Sequence, residues 1–160
     1  MKNKSSLTSN PIFCVPSLFD VPTMRILLVD DDYLLAKATA KLIERLEGHS
    51  VVINDEPTAI FQACQSGIVD LVLMDVNLPG AYWKDEEISG ADLARFLKTD
   101  PLTAHIPIVL LTAYAMLSEQ QTLLQASHAD GLLTKPLTDY NSLFRLMTRL
   151  VATNGQTHEG

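Results

Sequence analysis

The stretch Leu71-Val72-Leu73-Met74-Asp75-Val76-Asn77-Leu78-Pro79-Gly80 decides the fold. Four apolar residues run into a carboxylate, and a Pro-Gly turn signal follows within a few residues. An apolar run of this length between turn signals predicts a strand buried on both faces, as in a parallel sheet. Asp75 then stands where the strand leaves the sheet, the usual address for chemistry in an open α/β fold. Taken alone, the aspartate reads more readily as a turn or capping residue, because turns favour Asp. The other strand ends have to decide between the two.

The bulk numbers narrow the field. The chain has 160 residues, 47% of them hydrophobic, enough for one domain with a sizeable core. Twelve basic residues against nineteen acidic ones give a net charge of -7 and a pI near 4.9. Such a surface repels phosphate backbones and anionic lipids, so no direct nucleic-acid binding and no membrane contact are expected. Cys14 and Cys64 form no metal spacing or disulfide framework. His49, His105, His128 and His158 are scattered, without the clustering that ligand histidines need. Lys2 and Lys4 precede no continuous apolar segment, and no stretch approaches 18 apolar residues. The expectation is a cytoplasmic protein.

Outward from the opening stretch, the same alternation recurs. Residues 1–23 read as an irregular extension broken by Pro11, Pro16 and Pro22, with Ile12, Phe13, Leu18 and Phe19 able to pack as an arm. Arg25 to Val29 reads as the first strand, ending in Asp30-Asp31-Asp32. Leu34, Leu35, Ala38, Leu42, Ile43 and Leu46 stripe a helix that Gly48 stops. Ser50 to Ile53 is a second strand, and Pro57 opens a helix with Ile60, Phe61 and Cys64 on one face. Ser89 and Asp92 start a third helix, with Leu93, Phe96 and Leu97 as its apolar face. A fourth strand runs from Ile106 to Leu111, and Ser118 with Gln121 predicts a capping box for a fourth helix. Gly131 to Leu133 is a fifth strand, and Leu143, Leu146, Met147 and Leu150 stripe a last helix. The predicted division is extension 1–23, one α/β domain 24–152 and polar tail 153–160. Five strand–helix units predict a parallel sheet covered by helices on both faces.

Four strand ends now carry polar residues: Asp30 and Asp31, then Asp75, Thr112 and Lys135. In a parallel sheet these ends share one edge, so the side chains converge. Three carboxylates so gathered repel unless a cation joins them, and oxygen-only donors point to a hard ion such as Mg²⁺. A lysine and a hydroxyl beside them suggest an anion with several oxygens, the set of parts that phosphoryl transfer uses. Each residue alone has a plainer reading: an N-cap cluster, a strand-end threonine, a solvated lysine. Their coincidence does not.

Ile26-Leu27-Leu28-Val29-Asp30-Asp31-Asp32, Leu71 to Asp75 with Pro79-Gly80, Leu110-Leu111-Thr112-Ala113 and Thr134-Lys135-Pro136 together resemble the receiver domain of two-component response regulators, over roughly residues 24–152. The resemblance implies a flavodoxin-like (βα)5 sandwich of strand order 2-1-3-4-5. It implies that Asp75 accepts a phosphoryl group from a sensor histidine kinase or phosphotransfer protein. It also implies Mg²⁺ held by Asp31 and Asp75, by Asn77 through its backbone carbonyl and by Asp30 through water. Lys135 would contact one phosphoryl oxygen and Thr112 another, and the Lys135-Pro136 bond is often cis in the family. A downstream protein target, or a homodimer, would use the face of the fourth helix, fifth strand and last helix, with Gln120, Leu133 and Tyr140 on it. The domain would be a phosphoacceptor rather than an enzyme acting on outside substrates.

Two features depart from that family's pattern. Ten residues, Gly80 to Ser89, separate Pro79 from Gly90, an enlarged loop whose Tyr82 and Trp83 are of the anchor types found in binding hot spots. Leu132 stands where receivers usually carry Tyr or Phe, which leaves the aromatic read-out absent or moved to Tyr114. Two other functions share parts of the pattern. A Mg²⁺-dependent aspartyl phosphatase would need a second acid where Asn77 stands. A receiver fold used only as a binding platform usually loses the aspartate or the lysine. No GxGxxG or GKS/T loop supports nucleotide binding.

Overall fold

The apolar runs and the amphipathic segments between them become, in the computed structural model, a single five-stranded sheet with helices on both faces. The structure describes residues 22–155, so the predicted arm, Ile12 to Phe19, lies outside the described residues. In chain order the elements are β1 (Arg25–Val29), α1 (Tyr33–Glu47), β2 (Ser50–Ile53), α2 (Pro57–Gln65), β3 (Leu71–Asp75), β4 (Tyr82–Trp83), β5 (Glu86–Glu87), α3 (Gly90–Thr99), β6 (Ile108–Thr112), α4 (Leu117–Ser127), β7 (Gly131–Thr134) and α5 (Tyr140–Gly155).

The sheet order is β2-β1-β3-β6-β7, all parallel. Setting aside the β4–β5 hairpin, this is the expected 2-1-3-4-5 order. β3 and β6 are buried at every residue, which is why both read as unbroken apolar runs. Successive residues feed opposite faces. Val72, Met74, Ile108 and Leu110 join α2 and α3 on one side, while Leu71, Leu73, Val109 and Leu111 join α1 and α5 on the other.

Local signals set most boundaries. Pro57 opens α2 behind Glu56, whose carboxylate accepts from the amides of Thr58 and Ala59. α3 starts at the expected Ser89 and Asp92, which form a capping box that the spacing predicts only for α4. α4 departs from expectation: it starts at Leu117 behind Met116, without a side-chain cap, and Ser118 lies inside its first turn. The last helix runs on to Gly155, so residues predicted as tail belong to its final turn.

α1 departs further. The spacing predicts the helix but misassigns its inner face. Ala36, Thr39, Ala40 and Ile43 face the sheet, while Leu34, Leu35, Leu42 and Leu46 face outward. Small inner residues let the helix approach β1 closely, and the larger leucines are left in solvent. Apolar spacing alone cannot distinguish an inward stripe from an outward one.

His49, just past the α1 cap, is buried and its Nδ1 accepts the Met24 amide at 3.3 Å. Burial holds its imidazole below the usual value, against the pull of Glu47. A lowered folded-state pKa gives stability that is complete above about pH 6.5 and lost as pH falls below it. Unfolding free energy from urea titrations should therefore decline on acidification from neutral pH, with a flatter decline in His49→Gln.

Candidate functional site

The register of the sheet determines which residues meet at its carboxyl edge. Val29 pairs with Met74, Asp75 with Leu111, and Thr112 with Thr134. Asp30, Asp75, Thr112 and Lys135 therefore emerge side by side. Backbone bonds tie the edge laterally: the Val76 amide donates to the Leu111 carbonyl at 2.9 Å, and the Lys135 amide to that of Thr112 at 2.7 Å.

Carboxylate oxygens of Asp30, Asp31 and Asp75 lie within 4.8 Å of one another. Asp30 and Asp75 are buried and Asp31 is exposed. Lys135 Nζ donates to Asp75 Oδ2 at 2.7 Å and to Asp30 Oδ2 at 3.2 Å. Local amides hold the other oxygens, from Asp32 to Asp30 Oδ1 at 2.9 Å and from Asn77 to Asp75 Oδ1 at 3.1 Å. The last aspartate of the triplet stands apart from this group, since Asp32 caps α1 by accepting from the Leu35 amide. The N-cap reading of the triplet thus applies to Asp32, while Asp30 and Asp31 gather beside Asp75.

Burial raises the Asp75 carboxyl above its usual range, outweighing the Lys135 and Asn77 hydrogen bonds. Burial also pulls on Lys135, but its bonds and charge pairing with Asp75 and Asp30 keep the ammonium above its ordinary value. Three carboxylates around one ammonium leave an excess of negative charge at a partly buried edge. The donors are all oxygen, so a small hard dication fits this set.

A cavity of about 420 Å³ opens over Asp75, lined also by Asn77, Ser89, Thr112, Tyr114 and Lys135. The Thr112 hydroxyl is buried and accepts the Tyr114 amide at 3.1 Å, which leaves its hydrogen to donate. Tyr114 itself is exposed. Leu132 packs against the core on the α3 side, filling hydrophobic space. The Lys135-Pro136 peptide is cis. Gln120, Leu133 and Tyr140 are all partly buried rather than fully presented to solvent.

The enlarged loop is not open. Tyr82 pairs with Glu87 and Trp83 with Glu86, closing a hairpin over Lys84-Asp85, both at positive φ. That is the backbone of a tight two-residue turn, built here without the usual Gly or Asn, so the sequence carried no hairpin signal. Trp83 turns inward and stacks on Phe61 of α2 with ring centroids 4.6 Å apart. Of the two aromatics expected to project, Tyr82 does so and Trp83 does not.

Sequence reasoning missed Ser89 in the cavity wall and the tight place of Gly90. Gly90 donates its amide to the Val76 carbonyl at 2.8 Å, and a Cβ built on it would lie 1.8 Å from the Asp75 carbonyl oxygen. A glycine opening a helix without needing positive φ is the signal of close backbone approach.

Comparison with known proteins agrees with this geometry. Residues 26–147 match the model of the response regulator receiver domain. The chain is 32% identical over 127 residues to a gliding motility regulatory protein of Myxococcus xanthus, covering 79% of this chain but only 15% of that protein's length. It is 28% identical over 116 residues to the polar-differentiation response regulator DivK of Brucella ovis, covering 72% and 87% of the two chains. Among solved structures it is similar to a CheY-like receiver domain protein from Methanospirillum hungatei, at TM-score 0.67 and 23% identity, covering 85% and 99% of the two chains. It is also similar to the receiver domain of the sensor histidine kinase PA1611 from Pseudomonas aeruginosa, at TM-score 0.66 and 24% identity, covering 82% and 99%. That structure holds a magnesium ion in its active-site cleft.

Two substitutions probe the positioning of the site. Gly90→Ala forces a methyl group against the end of β3 and should cost about 1–3 kcal/mol in urea denaturation. Trp83→Ala removes the stack on Phe61 and, because the ring is only partly buried, should cost less than the about 3–5 kcal/mol of a fully buried tryptophan in the same measurement.

Proposed function

The chain belongs to the response regulator receiver domain family, and on that premise we propose that it accepts a phosphoryl group on Asp75 from a histidine kinase or phosphotransfer protein. The observation that carries the reading is the convergence of the Asp30, Asp31 and Asp75 carboxylates with Lys135 at one sheet edge. An Asp75 carboxylate oxygen attacks the phosphorus of a phosphohistidine. The new O–P bond forms as the N–P bond breaks, and the electron pair returns to the imidazole nitrogen.

Each neighbour has a role in that step. Asp31 and Asp75, with the Asn77 backbone carbonyl and Asp30 through water, would hold Mg²⁺. The ion supplies positive charge for the phosphoryl oxygens. Lys135 shifts from carboxylate partner to phosphoryl partner, a point charge suited to the anion. Thr112 donates its hydroxyl hydrogen to a second phosphoryl oxygen. Leu132 offers no aromatic ring to respond, so the read-out rests on Thr112 and its neighbour Tyr114.

Signal then passes by docking to a downstream protein, or to a second copy, through α4, β7 and α5. Among the described residues no helix is long and apolar enough to cross a membrane; a cytoplasmic location is part of the same proposal, since it follows from the proposed kinase partner. The functional unit is residues 24–152, preceded by the 1–23 extension.

Incubation with Mg²⁺ and acetyl phosphate, followed by intact mass, tests the reading. One phosphoryl group should be gained and should be lost in Asp75→Asn. No gain at any Mg²⁺ concentration would favour a binding platform that works without phosphorylation. Steady phosphate release from added phosphoesters would instead favour an aspartyl phosphatase.

A further inference from the structure

The β4–β5 hairpin rests on α2 and leaves a groove between itself and the end of α3. This cavity of about 550 Å³ has Phe61, Trp83 and Phe96 in its walls, with Glu86 on the hairpin and Asp100 at the end of α3. Ligand pockets span about 300–1,000 Å³, so the space suits a bound group rather than a few waters. It shares no wall residue with the cavity over Asp75.

The charge of these walls is one-sided. Lys84 is the single cation among the lining residues, against the carboxylates of Glu86 and Asp100. Asp85 and Glu87 of the same hairpin add two more exposed carboxylates. Glu86 has no hydrogen-bond or ion-pair partner among the described residues. Asp100 accepts from neutral donors, the Gln65 side chain at 3.1 Å and the Leu102 amide at 2.9 Å. Two carboxylates thus stand beside three aromatic rings, and neither is paired with a cation among the described residues.

Such walls suit a guanidinium. It is planar and weakly hydrated, stacks on aromatic faces and meets carboxylates with a fork of N–H donors. The chain itself shows the preference: Arg95, which is not a wall residue, sets its guanidinium 4.8 Å from the centre of the Phe96 ring. Nucleic acid and anionic lipid would be repelled by the same carboxylates. A second copy, brought up by a two-fold axis, would set Asp85, Glu86 and Glu87 against themselves.

We propose that this groove docks a basic segment of a partner protein, seating an arginine side chain between the hairpin and α3. The aliphatic stem lies on Trp83 and Phe96, and the guanidinium meets Glu86 and Asp100. Arginine is among the residue types that dominate binding hot spots, so one such anchor is enough to direct the contact. The docking rests on the hairpin, α2 and α3 alone, and it stands or falls separately from phosphorylation of Asp75.

Trp83 is the single tryptophan of the chain, so its fluorescence reports on the groove directly. The probe is a capped peptide, acetyl-Ser-Leu-Arg-Leu-Ser-amide, titrated into the full chain in buffer containing Mg²⁺. Trp83 emission should change saturably, and amide resonances of the hairpin and the end of α3 should shift with the same midpoint. Citrulline in place of the arginine keeps the shape without the charge and should weaken binding about tenfold. Glu86→Gln with Asp100→Asn should weaken the arginine peptide about fivefold. Added salt should weaken the arginine peptide and leave the citrulline peptide unchanged. Equal binding of the two peptides, or no saturable change up to millimolar peptide, would overturn the proposal. So would amide shifts centred on Asp30 and Asp31, which would place the peptide at the carboxyl edge of the sheet.

Discussion

Mutual repulsion among Asp30, Asp31 and Asp75 is the constraint on which the rest of the structure turns. Like charges this close repel one another unless opposite charge or hydrogen bonds offset the repulsion. The fold supplies one ammonium, from Lys135, and two amides, from Asp32 and Asn77. It does not supply enough positive charge to balance three carboxylates. That shortfall leaves the edge with a charge and a donor set suited to a small hard dication. An edge neutralised fully by lysines or arginines would be more stable and would have no such appetite.

Holding the repelling groups together requires a rigid support, and the sheet and the β3–α3 connection provide it. Gly90 lets the start of α3 press against the Asp75 carbonyl, so the end of β3 is braced from behind. Between Asn77 and Gly90 the chain makes an excursion, yet it stays ordered by internal pairing. The Ile88 amide bonds the Ala81 carbonyl at the neck, and Trp83 fastens the hairpin to α2. Ala81 and Ile88 are buried in the core beneath it. The insertion is thus built as a closed unit that leaves the sheet just after Asp75 and returns at Gly90.

Much of this was legible in the sequence, for identifiable reasons. β3 and β6 are buried on both faces, so their apolar runs had one interpretation. Asp75, Thr112 and Lys135 were legible because a parallel sheet makes every strand end an address on the same edge. The inner face of α1 was not legible, since small residues and a threonine pack inward while leucines point out. The β4–β5 hairpin was hidden because Lys84 and Asp85 adopt positive φ without the residues that usually announce it. The start of α4 was misplaced for a similar reason: Met116 stands at the cap position without a side-chain acceptor.

The lateral backbone bonds from Val76 to Leu111 and from Lys135 to Thr112 carry one more consequence. Asp75 and Thr112 are the last residues of their strands, and Asp30 and Lys135 follow directly after theirs. Local melting cannot disperse them while the sheet persists. The site and the sheet therefore share one cooperative unit, and the least buried parts around it are the hairpin tip, the exposed Tyr114 and α4.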